Sequence, residues 1–376
     1  MADTRPEAVR SDASQGELMA SIFWRPRRLD HTRHDMLLGT DNGKPASLFW
    51  SQPPWHHWPP EVTTATMRVL DGLGIWYAAL RSELGTPTVA EDSSDQEPVS
   101  SMGSHRILPY RNERYGLSTD DFDGAKWVDL RLSPRRAPSG RYAYDADLVA
   151  RWEGTPDESP LSGGGWIPAK SFPPDLESMD GLSTKVQQLK SLSGGNVLVS
   201  LDAFVPNRIV DSVLDSGADA ISLHFGDASI PGGVMAERIM ECLERCRQHS
   251  EVALWIEPAV DDSTKTLTAH DAAKLIAMGV SGIAIDSWMV DVVDALDAIP
   301  PRSQYSHESE GHFDSIVGTI LAERFEPRCE HFIGLCDAID LETPRSSLGS
   351  SDPKLAERLG IVWMGQATQP RRASSR

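Results

Sequence analysis

Cysteine is scarce in this sequence, with four residues in a chain of 376. So few cysteines exclude a disulfide framework, which needs several pairs in a short secreted chain. They are also too scattered for a structural zinc or iron–sulfur centre, because such centres take tight clusters of thiolates. We therefore predict four reduced, mostly buried thiols in a cytoplasmic protein, at Cys242, Cys246, Cys329 and Cys336.

The sequence also has little positive charge and lacks long apolar runs. Lys and Arg total 36 against 55 Asp and Glu, which gives a net charge of −19. Nucleic acids and anionic membranes bind basic surfaces, so this balance argues against both as partners. No apolar run approaches the roughly 18 residues of a membrane helix. We expect a small-molecule ligand, and leave a homo-oligomer or a partner subunit open.

The composition divides the chain into a large central part with polar ends. Residues 1–20 and the basic tail 365–376 are predicted to be disordered. Residues 21–300 alternate short apolar runs with helical patterns, and residues 301–364 read as a C-terminal helical extension. Within the central part, Gly85–His105 is rich in Ser, Asp, Glu and Pro, and we predict a mobile excursion there.

Eight strand-like runs occupy the central part, and helical segments separate most of them. Apolar strands that alternate with amphipathic helices are typical of a parallel sheet covered by helices. Eight such units predict an α/β fold, a parallel (β/α)8 TIM barrel with an N-terminal extension and a C-terminal helical tail. The predicted strands are Ala46–Gln52, Gly74–Leu80, Lys126–Ser133, Gly163–Ala169, Asn196–Asp202, Asp219–Phe225, Val252–Pro258 and Ser281–Ser287.

The last four predicted strands each end in a polar side chain. Alternation along these strands places Asp202, His224, Glu257 and Asp286 at one level of the barrel. Catalytic residues of such barrels come from the carboxyl ends of the strands. We therefore single out these four as catalytic candidates, which could supply acid–base chemistry or bind a divalent metal or a cationic substrate.

A structural role is the alternative for the same four side chains. Each could cap its strand by accepting loop N–H groups, or could pair with a nearby cation such as Arg131. Arg131 and Arg135 themselves lie at the end of the third predicted strand, in the stretch DLRLSPRR. They are candidates for a clamp on a substrate anion, and a solvated loop is the alternative for that stretch.

The segment from Tyr115 to Ile285 resembles a known flavoprotein domain. RYGLSTDDFDGAKWVDLRLS, ESMDGLSTKVQQLKSLSGGNVLVSLDAF and DSGADAISLHFGDASIPGG follow one another. In spacing and apolar pattern they are similar to the FMN-binding barrel domain of the glutamate synthase family. TLTAHDAAKLIAMGVSGIAID looks like the helix and strand that close that domain. The resemblance implies an oxidoreductase of amino acid or 2-oxo acid metabolism, with FMN as the cofactor.

The same resemblance implies which positions face the flavin. Ser200 stands where the family has a lysine near the flavin ring, and Gly226, Gly232 and Gly233 match its glycine-rich loop. Glycines of this kind allow the backbone to approach a ligand closely. Ser287 ends the last predicted strand, on the side where barrels of this type hold a phosphate.

Several positions depart from the family pattern. The last two strands end in Glu257-Pro258 and Asp286-Ser287 instead of glycine-rich turns. A carboxylate repels a phosphate, and a proline lacks the N–H donor that a phosphate needs. The segment after Asp286 has no cysteine where the family holds an iron–sulfur cluster, so we predict no such cluster.

These departures leave two function classes open. The first is a glutamate-synthase-like oxidoreductase, as the resemblance implies. The second is a degenerate barrel without flavin that acts as a ligand-binding or regulatory module, with a metal or cation bound at the polar rim. Because the phosphate-binding positions carry carboxylates, we expect FMN to bind weakly or not at all.

Overall fold

The strands of this protein pair into a closed barrel. We use a computed structural model, which describes residues 19, 21–24, 47–84, 103–110, 117–132, 143–145, 166–168, 176, 178–226, 230–249, 252–259, 267–299, 310–339 and 343–364. In chain order the strands are β1 (Phe23–Trp24), β2 (Ser47–Trp50), β3 (Trp76–Ala78), β4 (Arg106–Tyr110), β5 (Trp127–Arg131), β6 (Ala143–Asp145), β7 (Trp166–Pro168), β8 (Asn196–Asp202), β9 (Ala220–His224), β10 (Ala253–Glu257), β11 (Gly282–Ala284), β12 (Leu348–Ser350) and β13 (Val362–Trp363).

Eight of these strands, all parallel to their neighbours, form the barrel in the order β2, β3, β4, β5, β8, β9, β10, β11, and β11 closes it against β2. The predicted (β/α)8 fold class is confirmed. The helices are α1 (Pro60–Gly72), α2 (Leu182–Ser193), α3 (Asn207–Leu214), α4 (Gly232–Gln248), α5 (Ala269–Met278), α6 (Asp286–Asp297), α7 (Glu310–Arg324), α8 (Glu326–Cys336) and α9 (Pro353–Leu359). Among the described helices, none combines the length and the apolar character needed to cross a membrane.

One predicted barrel strand was wrong. The run Gly163–Ala169 contributes β7, which pairs antiparallel with β6 in a separate two-stranded sheet. The third barrel strand is instead β4, with the sequence RILPY. An arginine at its start and a proline inside it break the apolar pattern that marks the other strands. Pattern alone therefore could not separate these two candidates.

Asp71, in the last turn of α1, fixes the start of β4. Its carboxylate accepts hydrogen bonds from the N–H groups of Gly103 (2.8 Å) and His105 (3.0 Å), and from the hydroxyls of Ser104 and Tyr77 at 3.1 Å each. Residues 103–105 form the end of the predicted mobile excursion, whose remaining residues 85–102 lie outside the described ones. These hydrogen bonds hold the polar residues 103–105 in place directly before β4 begins.

The interior of the barrel is filled by aromatic rings. Trp255 of β10 lies with its ring centroid 4.9 Å from that of Phe49 and 5.1 Å from that of Trp127. Trp76 packs against the same cluster. Gly282 of β11 leaves room for the ring of Trp255, because a Cβ on residue 282 would lie 2.5 Å from that ring. The lower barrel is thus a packed core in the part of the chain that the structure describes.

The N-terminal extension joins the C-terminal part of the chain outside the barrel. β1 pairs antiparallel with β12, and β12 pairs parallel with β13. The N–H of Met19 donates to Asp271 Oδ1 at 3.1 Å, and Lys274 Nζ lies 3.4 Å from the Met19 carbonyl oxygen and from Asp271 Oδ1. Asp271 and Lys274 are both buried, so this ion pair on α5 secures the segment before β1.

All four cysteines are free thiols. Cys242, Cys246 and Cys336 are buried and Cys329 is half-buried. Burial raises the pKa of the Cys242 thiol to about 11 and that of Cys246 to about 12. At neutral pH these two side chains are therefore protonated and act as small apolar residues of the core.

We predict that Gly282→Ala destabilises the fold, because the added methyl group overlaps the ring of Trp255 in a packed core. The expected loss in free energy of unfolding is about 1–3 kcal/mol. Gly318→Ala in α7 is the matched control, since nothing lies within 4 Å of its Cβ position. It should gain about 0.5–1 kcal/mol from helix propensity. Urea unfolding measures both, and an equal effect of the two substitutions would contradict the interior packing.

A second prediction concerns Asp71. Burial acts to raise the pKa of this carboxyl, but hydrogen bonds from His105 and from the Gly103 N–H outweigh burial and hold the pKa below its ordinary value. Because the folded pKa is depressed, the stabilisation is present above the unfolded pKa of about 3.9 and is lost as the pH falls through the folded value.

Asp71→Asn should accordingly cost about 1–3 kcal/mol at about pH 7 and clearly less at about pH 3. Urea unfolding of both proteins at the two pH values measures the difference. A difference that stays constant or grows on acidification would show that the charged carboxylate does not hold β4 in place.

Candidate functional site

Three predicted site residues lie at one level of the barrel mouth. His224 is the last residue of β9, and its register partners are Asp202 on β8 and Glu257 on β10. Asp286 follows β11 and opens α6. The strand ends therefore bring these residues to the carboxyl end of the barrel, as the alternation of the sequence predicts.

Glu257 lies at the centre of the polar contacts of this mouth. It is 3% exposed, and Arg131 Nη2 donates to its Oε2 at 2.5 Å. Ser51 Oγ donates to Oε1 at 2.6 Å, and Gln52 Nε2 donates to the same oxygen at 3.3 Å. A buried carboxylate needs such compensation, and here it comes from β5 and from the turn after β2.

His224 presents its ring between Glu257 and open space. Its Nδ1 is buried, has no hydrogen-bond partner, and lies 3.6 Å from Glu257 Oε1. About a third of the side chain, 34%, is exposed. A Cβ added to Gly226 would lie 3.3 Å from Nε2, so the glycine leaves this edge of the ring clear. The imidazole thus has one nitrogen directed at a carboxylate and the other accessible.

Asp202 and Asp286 have capping contacts, as the structural alternative proposes. Asp202 is exposed, and its Oδ1 accepts a hydrogen bond from the Phe204 N–H at 2.8 Å. Asp286 accepts one from the Ser51 N–H at 3.0 Å and one from the Gln52 N–H at 2.8 Å. Asp286 therefore positions the turn that supplies the Ser51 hydroxyl to Glu257.

The metal-binding alternative finds no support in the described part of the chain. No group of three or more His, Cys, Asp or Glu residues lies there in an arrangement that could hold a metal ion. The contacts give the physical reason: Glu257 faces a guanidinium, and the oxygens of Asp202 and Asp286 face backbone N–H groups.

The positions that the resemblance assigns to a flavin are spread over different surroundings. Ser200 is buried inside the barrel and donates to the carboxylate of Asp129. Gly226 adjoins His224, whereas a Cβ on Gly233 would contact Leu355 and Ser21, both at 3.5 Å. Gly232 begins α4 and Ser287 is the second residue of α6. Arg135 lies outside the described residues.

The N-termini of α5 and α6, the helices that follow the last two barrel strands, do not fit the phosphate of FMN. α6 carries Asp286 at its first position, where the carboxylate would repel a phosphate. The N-terminus of α5 already has its own capping box, in which Thr268 Oγ1 accepts a hydrogen bond from the Asp271 N–H at 3.1 Å. No reaction step is therefore assigned to a flavin, and weak or absent FMN binding remains a prediction.

A cavity of about 490 Å³ opens at the barrel mouth beside His224. Its lining combines apolar side chains with the polar groups described above. Its lining residues are Trp50, Gln52, Pro54, His224, Gly226, Glu257, Pro258, Ala259, Asp286, Val290, Val293 and Asp294.

A larger cleft of about 840 Å³ lies outside the barrel, between α4 and α9. Its arginines are largely paired with carboxylates: Arg238 lies 2.7 Å from Glu241, and Arg358 lies 2.7 Å from Glu237. None of the predicted site residues lines this cleft. The barrel mouth is therefore the candidate site that the predicted residues share.

Three residues with polar contacts in the barrel were not predicted from the sequence, namely Ser51, Gln52 and Asp129. Ser51 could have been predicted, because it lies two residues after Phe49 in SLFWSQ. Side chains two apart on a strand lie on the same face, and Phe49 points into the barrel. Asp129 alternates in the same way with Trp127 on β5. Gln52 has no such signal, since it lies beyond the strand.

Neither a protein-family model nor a curated protein sequence matches the chain. A solved mandelate oxidase variant with (S)-mandelic acid is 14% identical, with 86% of this chain and 90% of that one covered and a TM-score of 0.47. A lactate oxidase of Pediococcus acidilactici is 10% identical, with coverages of 87% and 82% and a TM-score of 0.46. A tetrameric deoxyribose phosphate aldolase of Aeropyrum pernix is 13% identical, with coverages of 67% and 89% and a TM-score of 0.36.

With identities of 10–14% and TM-scores of 0.36–0.47, these three structures do not indicate what this chain does. The barrel is established by its own strand pairing. Membership in the glutamate synthase family is not shown by these comparisons, and it stays a prediction from the sequence.

We predict that Arg131→Met lowers the free energy of unfolding by about 3 kcal/mol, because it removes the cation that faces a buried carboxylate. Arg358→Met is the matched control, since the pair that Arg358 forms with Glu237 is exposed. Its loss should be about 0.5 kcal/mol or less. Chemical unfolding of both variants measures this, and equally small losses would contradict the central role of Glu257.

Proposed function

We propose that this chain binds a small organic molecule in the cavity at the barrel mouth and exchanges a proton with it through His224. The observation that carries this proposal is the placement of the imidazole. One ring nitrogen faces Glu257 and the other lies beside Gly226, at the cavity. A histidine in such a setting is a general acid or base in many enzymes.

Glu257 acts in this proposal as a positioning residue. For His224 Nδ1 to donate to the carboxylate, the hydrogen of the neutral ring lies on Nδ1, which makes Nε2 a proton acceptor. Once Nε2 has taken a proton, the adjacent carboxylate stabilises the imidazolium. Arg131 and Ser51 hold the carboxylate in place, so the ring is oriented by groups from three other strands or turns.

The cavity limits the size and type of the ligand. Its volume of about 490 Å³ lies within the range of sites for small molecules. Trp50, Pro54 and Val293 supply an apolar wall, which suits a hydrocarbon portion of the ligand. This accords with the ligand-binding barrel that the sequence leaves open, and it requires no flavin.

The second candidate is a glutamate-synthase-like oxidoreductase that acts on an amino acid or a 2-oxo acid with FMN. The resemblance over Tyr115–Ile285 favours it, together with a barrel in which the matching strands are β8 to β11. Against it stand Asp286 at the start of α6 and Ser200 bound to Asp129. We rank it below the flavin-free site for this reason.

His224→Asn and Gly226→Ala test the proposed function. The asparagine keeps a donor near the Nδ1 position and removes Nε2, and the alanine methyl blocks Nε2 at 3.3 Å. Thermal melting with amines, 2-oxo acids, carboxylic acids and FMN as separate probes should show that one small-molecule class stabilises the wild type. Both variants should lose that stabilisation.

Gly334→Ala, on an open surface of α8, is the control and should behave like the wild type. Stabilisation by micromolar FMN alone would support the oxidoreductase instead. If no probe stabilises the wild type, or if the two variants respond like the control, the proposed site is wrong.

A further inference from the structure

One face of α6 forms the far wall of the mouth cavity. Asp286, Val290, Val293 and Asp294 all line it, at spacings of four, seven and eight residues from the first. Residues at these spacings lie on the same side of a helix. The wall therefore runs from a carboxylate, over two valines, to a second carboxylate.

The charged residues among the described lining of the cavity are negative, His224 aside. Of its described lining residues, three are carboxylates and none is Lys or Arg. The charge of Glu257 is compensated by Arg131, which lies behind it. Asp294 is exposed, and among the described residues it forms no ion pair. An anionic ligand would be repelled here, and a cation would be attracted.

We propose that the ligand is a small aliphatic amine in its protonated form. The inference rests on the proposed function of the cavity and names the class of its ligand. The ammonium group pairs with Asp294, and the hydrocarbon body lies on Val290 and Val293. Asp294 lies about 12 Å along the helix from Asp286, which borders the polar end of the cavity, so a ligand that also reaches His224 is of that order in length.

The geometry gives the two ends of the ligand different roles. Asp294 selects the charge, because it is the exposed carboxylate of the lining. His224 meets the opposite end, where its accessible nitrogen can exchange a proton with a polar group. Binding of the amine and proton exchange are therefore separable by mutation.

The test uses three probes with the same six-carbon body, namely n-hexylamine, n-hexanol and hexanoate, in isothermal titration calorimetry with the full chain. We expect n-hexylamine to bind about fivefold more tightly than n-hexanol, and hexanoate to bind more weakly than n-hexanol. Asp294→Asn should weaken n-hexylamine about fivefold, as expected for loss of an exposed ion pair, and should leave n-hexanol unchanged. Glu323→Gln, the same loss of charge on an exposed part of α7, is the control and should leave all three affinities unchanged.

The outcomes separate this inference from the proposed function. Tighter binding of n-hexanol or hexanoate that Gly226→Ala abolishes would overturn the amine inference and leave the mouth site standing. Equal weakening of n-hexylamine by Asp294→Asn and by Glu323→Gln would show a general effect of net charge, and would also overturn it. If none of the three probes binds, the inference falls, and the separate panel of ligands decides on the site itself.

Discussion

The buried carboxylate of Glu257 is the group on which the mouth of this barrel depends. An isolated charge in that position would be costly, so the surrounding elements must bring donors to it. β5 supplies Arg131, and the turn after β2 supplies Ser51 and Gln52, while β9 places His224 Nδ1 3.6 Å from the carboxylate. These elements lie far apart in the sequence, with Ser51 206 residues from Glu257. Compensation of one charge therefore links four parts of the barrel into one site.

The strands that the sequence revealed are those whose side chains follow a simple alternation. β8 to β11 lie within the predicted runs because each is apolar, buried on both faces and followed by a helix. β4 was not predicted because it begins with an arginine, a residue that is usually exposed. Arg106 is nevertheless buried, and it donates to the carbonyl oxygens of Asp121 and Asp123. A residue that looks like a surface residue in the sequence is here part of the core, and only tertiary contacts reveal this.

The level of the site could be predicted, but the partners within it could not. Strand parity placed Asp202, His224 and Glu257 together, since parity depends only on the backbone. Which of them remains available to a ligand depends on the side-chain contacts. Asp202 accepts a hydrogen bond from the Phe204 N–H, whereas His224 directs Nδ1 at Glu257 and leaves Nε2 beside Gly226 at the cavity. Such choices depend on loops and on strands that are distant in sequence.

The pairing of β1 with β12 bears on the order in which this chain can fold. Phe23 pairs with Gly349 in this sheet. The Ser350 hydroxyl donates to the Ser21 carbonyl oxygen, 329 residues away in the sequence. The barrel, in contrast, is complete once β11 reaches β2. During synthesis β1 can therefore pair only after residue 349 has been made, and contacts of such separation form slowly. The sheet of β1, β12 and β13 therefore completes only after all eight barrel strands have been synthesised.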